Sequence, residues 1–248
     1  MYGSKVPCSG SLVVVLTLFG CNPPGGQPSQ TGEQESAEQS SIASPAFEPA
    51  SASRPGSTTT DQPPRVVFLG DSLTAGLGLP EQVAFPQRIE QELSKRGVEI
   101  KVINAGVSGD TSAGGLSRID WILRQQPDIV VVCLGANDGL RGLSSVMTRR
   151  NLNAILDKIL EARALPVLLG MKLPPNLGPE YVTRFESIYP TLAIEFEIPL
   201  VPFLLEGVAG VASLNLPDGI HPNAAGHRRL AANVLPTIKK VLDKLDSE

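Results

Sequence analysis

The 248-residue chain sets 21 Lys and Arg against 25 Asp and Glu, a net charge of −4, with only 4% aromatic residues. Its basic residues gather in short pairs on helical stretches, among them Arg149-Arg150, Arg228-Arg229 and Lys239-Lys240, and in no basic stripe, which argues against nucleic acid as a partner. Two histidines and three scattered cysteines give no zinc-type ligand spacing, so no metal is expected.

The chain opens with a segment that reads as targeting. Lys5 precedes the apolar run Leu12–Phe19, which is too short to span a bilayer but suits the core of an export signal. Leu18-Phe19-Gly20-Cys21 resembles the lipobox of bacterial lipoproteins, with Cys21 as the residue to be lipidated. The alternative is an ordinary signal with a chance cysteine, leaving a soluble periplasmic or secreted protein. Residues 22–64 are rich in Pro, Gly, Ser, Gln and Thr, with Ile42 and Phe47 as the exceptions. Such a stretch cannot bury enough apolar surface to offset its ordering entropy and reads as a disordered tether. The expected organisation is therefore a lipoprotein-type signal over 1–21, a tether over 22–64 and a folded domain over 65–248. The expected location is the periplasmic face of a membrane, held by an N-terminal lipid. Asn22 after the cysteine points to the outer membrane, by analogy with enteric lipoproteins.

Beyond the tether, short apolar runs alternate with longer amphipathic ones. Strands are predicted at 65–69, 99–103, 128–134, 165–170 and 199–203, and helices at about 82–96, 114–125, 145–163, 180–196 and 223–244. In the third helix Ile155, Leu156, Ile159 and Leu160 share one face. Gly97 suits a helix C-cap and Pro222 the first turn of the last helix. Cys133, inside the run 129–134, reads as a small buried hydrophobe. The alternation predicts an α/β fold: a three-layer α/β/α sandwich on a five-stranded parallel sheet in flavodoxin-like order.

Chemistry-bearing residues collect at the ends of these strands. Ser72 follows the first strand through Gly70-Asp71, where open α/β sheets place their ligands. A serine hydroxyl needs a base, and His221 offers one, with Asp218 three residues before it to fix the tautomer. The Ser72 N–H, the Gly109 N–H and the Asn137 side-chain amide are candidate donors to an oxyanion. His227, next to Arg228 and Arg229, reads as an exposed helix residue. Taken singly, Gly70-Asp71-Ser72, Asn137-Asp138-Gly139 and Asp218-Gly219 are also ordinary turn sequences. Their recurrence at successive strand ends argues for a serine hydrolase. No Gly-Lys-Ser/Thr follows the first strand, and no Gly-x-Ser-x-Gly elbow occurs, which sets aside a P-loop and the ordinary α/β-hydrolase fold.

Four blocks, Gly70-Asp71-Ser72-Leu73, Gly109, Gly135-Ala136-Asn137-Asp138 and Asp218-Gly219-Ile220-His221-Pro222, resemble those of the SGNH (GDSL) hydrolases. Gly109–Leu116, Gly135–Gly142 and Asp218–Asn223 look most like its arylesterase branch, which includes multifunctional acyl-CoA thioesterase I/lysophospholipase L1. The resemblance implies hydrolysis through an acyl-serine intermediate without a metal or other cofactor. It assigns Ser72 as nucleophile, His221 as base and Asp218 as its orienting acid, with Ser72, Gly109 and Asn137 forming the oxyanion hole.

The expected substrates are small acyl or aryl esters, thioesters or lysophospholipids. Loop 139–145 and the stretch 173–177 are candidates for lining an acyl groove, with simple loop packing as the alternative. Two other functions stay open: an O-acetyl esterase acting on envelope carbohydrate, and a non-catalytic envelope binding protein.

Overall fold

The computed structural model describes residues 62–245 and residue 247. The expected signal with Cys21, and residues 22–61 of the expected tether, lie outside them. Among the described residues no helix is long and apolar enough to cross a membrane.

Five parallel strands make one sheet, β1 (Arg65–Gly70), β2 (Lys101–Gly106), β3 (Ile129–Cys133), β4 (Leu165–Leu169) and β5 (Leu200–Val201), in the order β2-β1-β3-β4-β5. The flavodoxin-like order expected from the alternation is the one observed. β1 and β3 lie inside the sheet with both faces covered, which is why they read as unbroken apolar runs. Val66 through Leu69 and all of β3 are buried, Cys133 among them as a free thiol. Pro166 sits within β4 at no cost to the ladder. The N–H groups of Leu168 and Gly170 face β5, so Pro166, in phase with them, points where β5 has not yet begun.

Eight helices are described: α1 (Ser72–Ala75), α2 (Phe85–Ser94), α3 (Ser112–Leu123), α4 (Ala136–Leu140), α5 (Ser145–Glu161), α6 (Pro179–Glu186), α7 (Ile188–Glu195) and α8 (Ala224–Leu245). α2 packs with α8 on one face of the sheet, and α3 with α5 and α7 on the other, as right-handed crossovers around this strand order require.

Three local expectations are corrected. The predicted helix 180–196 is two helices, because Pro190 lacks an N–H and its ring would meet the carbonyl of Glu186; restarting at Ile188 places it in a first turn. Pro222 is outside α8 and bridges to Asn215, while Asn223 caps the helix by accepting the Ala225 and Gly226 N–H groups at 2.9 and 3.1 Å. Gly226 belongs in the first turn because a Cβ there would collide with the Leu214 carbonyl oxygen. His227, expected to be exposed, is 1% exposed and accepts the Phe85 N–H at the start of α2 through Nδ1 at 3.1 Å.

Candidate active site

Strand order reverses between β1 and β3, and the loops leaving their carboxyl ends, together with that of β2, surround one crevice. β1 delivers Ser72 there. Asp71 caps α1, its Oδ1 accepting the Leu73 N–H at 3.0 Å, so Ser72 opens the helix 9% exposed. No described residue accepts the Ser72 N–H, as expected for the first position of a helix.

His221 comes from the segment before α8. Its Nε2 lies 3.0 Å from Ser72 Oγ and its Nδ1 lies 2.8 Å from Asp218 Oδ2. The other carboxylate oxygen, Asp218 Oδ1, accepts the Ile220 and His221 N–H groups at 2.9 and 3.0 Å. Those backbone bonds, with the ring bond, hold Asp218 down to about 2, so it is a carboxylate at any physiological pH. The local Asp218–His221 pair and the distant Ser72 thus form one continuous chain of hydrogen bonds.

Gly109 and Asn137 lie on the neighbouring loops. Gly109 has φ +81°, a conformation a side chain would strain, and no described residue accepts its N–H. Asn137, in α4 after β3, donates through Nδ2 to the Asp110 carbonyl at 3.0 Å and to Asp71 Oδ2 at 3.3 Å. Arg141 clamps the two loops from outside, donating to the Gly109 carbonyl at 3.0 Å and to Asn137 Oδ1 at 3.4 Å. Beneath them, Asp138 accepts the Ser112 N–H at 2.8 Å and the Ser112 hydroxyl at 2.5 Å, tying α4 to the start of α3.

In the sequence Asp71 reads only as part of a turn. It is 1% exposed, and burial raises it to about 6 against the opposing pull of the Leu73 N–H bond. Arg118 was missed altogether, although its spacing from Gly115, Ile119 and Ile122 sets it on the buried stripe of α3. Among the described residues no group of His, Cys, Asp or Glu is placed to hold a metal ion.

The rim formed by these loops exposes apolar side chains: Leu77, Val107, Leu140, Leu143 and Ile220, one or two from each surrounding loop, are large exposed hydrophobics. The 139–145 loop therefore presents apolar surface. In 173–177, by contrast, Leu173 is buried and packs against Gly139, so its first residue serves the core.

The model of the GDSL-like lipase/acylhydrolase family matches residues 68–229. Esterase TesA of Pseudomonas aeruginosa is 42% identical over 178 residues, covering 71% of this chain and 89% of the relative. Thioesterase 1/protease 1/lysophospholipase L1 of Escherichia coli K12 is 42% identical over 159 residues, covering 64% and 75%. The crystal structure of AlinE4, an SGNH-hydrolase family esterase, superposes with a TM-score of 0.62 at 41% identity, over 74% of this chain and 99% of that one. With the strand order and the serine-bearing crevice already described, these likenesses agree on one conclusion: the chain is a serine hydrolase of the GDSL (SGNH) esterase and acylhydrolase family.

Proposed function

We propose that Ser72 is the nucleophile, His221 the general base and Asp218 its orienting carboxylate, and that the enzyme cleaves acyl esters and thioesters with an apolar acyl group. The observation that carries this is the unbroken relay from Ser72 Oγ to His221 Nε2 at 3.0 Å and from His221 Nδ1 to Asp218 at 2.8 Å. His221 takes the Ser72 proton as Oγ attacks the acyl carbon, and the carbonyl π-electrons move onto oxygen. The oxyanion meets the unengaged N–H groups of Ser72 and Gly109, and the Asn137 amide, whose longer bond to Asp71 is the one it replaces. Collapse expels the alkoxide or thiolate, which leaves with the proton from His221. Water, deprotonated by the same ring, then attacks the acyl-serine; collapse of that tetrahedral intermediate frees the acid, and His221 returns the proton to Ser72 Oγ as it leaves.

The exposed apolar rim favours a fatty-acyl or aryl group over acetyl groups on sugars. It also favours a role in lipid hydrolysis of the kind named for the E. coli relative. The test is hydrolysis by the full chain of p-nitrophenyl acetate, butyrate, octanoate and palmitate, with Ser72→Ala as control. Serine-dependent turnover peaking at medium or long chains is expected. Turnover confined to acetate would move the assignment to carbohydrate deacetylation, and none at all from folded protein would leave a binding protein.

The N-terminal segment supports an exported lipoprotein, anchored at Cys21 and set off from the membrane by residues 22–64, at the periplasmic face of the outer membrane. The full chain expressed in bacteria should then partition with membranes, and Cys21→Ser should release it to the soluble fraction. Equal partitioning of the two would rule out lipidation at Cys21.

A further inference from the structure

Behind the crevice one side chain reaches the ends of β1 and β2 and the loop after β2 at once. Arg118, on the inner stripe of α3, donates through one Nη to the Ala105 carbonyl at 2.8 Å, near the end of β2. The other Nη donates to the Gly70 carbonyl at 2.9 Å, at the end of β1, and Nε to Asp110 Oδ2 at 2.8 Å. The Arg118 and Asp110 side chains are only 21% and 10% exposed, so these charge-assisted bonds are little weakened by water.

Each point of contact stands close to a proposed oxyanion donor. Gly70 is two residues before Ser72, and Ala105 is four before Gly109. Asp110 follows Gly109, and its own carbonyl accepts the Asn137 amide at 3.0 Å. The planar fork of a guanidinium sends its N–H groups in several fixed directions; an ammonium, with its donors on a single nitrogen, cannot span these acceptors. Since the charge of Arg118 is neutralised by Asp110, its effect on the site is geometric.

We infer that Arg118 is a positioning residue, which sets the Ser72, Gly109 and Asn137 donors at their mutual spacing around the reacting carbonyl. This rests on the oxyanion-hole assignment proposed above. Donors held in place in advance cost no reorganisation when charge develops, so loss of the brace is felt in the transition state and hardly in substrate binding.

The test is a double-mutant cycle in the full chain, with kcat and KM measured on p-nitrophenyl butyrate and folding followed by circular dichroism. Arg118→Lys is expected to lower kcat about 10²-fold and leave KM within about 2-fold. Asn137→Ala alone should lower kcat about 10²–10³-fold, but by less than about 10-fold on the Arg118→Lys background, where the donor is already misplaced. A folded Arg118→Lys protein with unchanged kcat, or an Asn137→Ala effect undiminished by it, would overturn the inference. An unchanged kcat in Asn137→Ala alone would overturn the donor assignment instead. Should Arg118→Lys not fold, Asp110→Ala, which removes the acceptor of Arg118 Nε, must show the same selective loss of kcat; an unchanged kcat there also refutes the brace.

Discussion

His221 and His227 are six residues apart, on either side of the start of α8, yet they are put to opposite uses. The His221 side chain is 20% exposed, with both ring nitrogens in polar contact, one with a carboxylate and one with a serine hydroxyl. His227 is sealed between α8 and α2, where Nδ1 accepts the Phe85 N–H and the ring stacks on Phe85 at 6.4 Å between centroids. Burial, and then the charge of Arg88, press its pKa down from 6.5 to about 4. An imidazole beside a carboxylate is ready to receive a proton. One that serves as an acceptor in an apolar seam is kept neutral. What surrounds the ring, more than its place in the sequence, separates the proposed base from the cap.

The sharpest way to break this comparison is to exchange the losses. His221→Ala should lower kcat by about 10⁴-fold or more with little change in melting temperature. His227→Ala should leave kcat nearly intact while lowering the melting temperature. The reverse pattern, read from kinetics and melting of the two variants, would undo the assignment.

A smaller effect sharpens the same contrast through pH. His227 titrates near 6.5 when unfolded and about 4 when folded, so between these values the unfolded chain binds more protons. Stability contributed by this ring is therefore complete above pH 6.5 and is lost as pH falls through 4, in all about 3 kcal/mol. Asp71, raised from 3.8 to about 6, works in the opposite direction, its share being lost as pH rises across that range. The measurement is accordingly the difference between wild type and His227→Gln in urea unfolding at pH 4.5 and 7.5. The wild type should lose more stability on acidification than the variant, and equal losses would remove His227 from the account.

Much of this molecule was legible in its sequence because the sheet is buried on both faces. Val66–Leu69 and Ile129–Cys133 had to be apolar, and Ser72 and Asn137, just past the ends of β1 and β3, mark the carboxyl edge. The Asp218–His221 pair was legible because its spacing is local. Contacts across the fold were not. His227 shares the apolar stripe of Leu230, Val234 and Ile238, but only its meeting with the first N–H of α2 makes a histidine suitable there. Arg118 gives the same signal on α3, a charge on the inner face, but its acceptors lie at the ends of two neighbouring strands and on the loop after β2, and only the fold brings them together. The break at Ser187 was written in Pro190, whose effect on the preceding turn outweighed the continuous helical pattern.

Cys133 closes β3 at the centre of the sheet, wholly buried, with burial pushing its thiol well above the usual range for cysteine. Within residues 65–248 it is the sole cysteine. A maleimide can therefore modify this region only when the layers packed over the middle strand open, and the labelling rate becomes a clock for that opening. Because the thiol lies one strand-end away from Asn137, the same clock would register whether an occupied crevice holds the central strand shut.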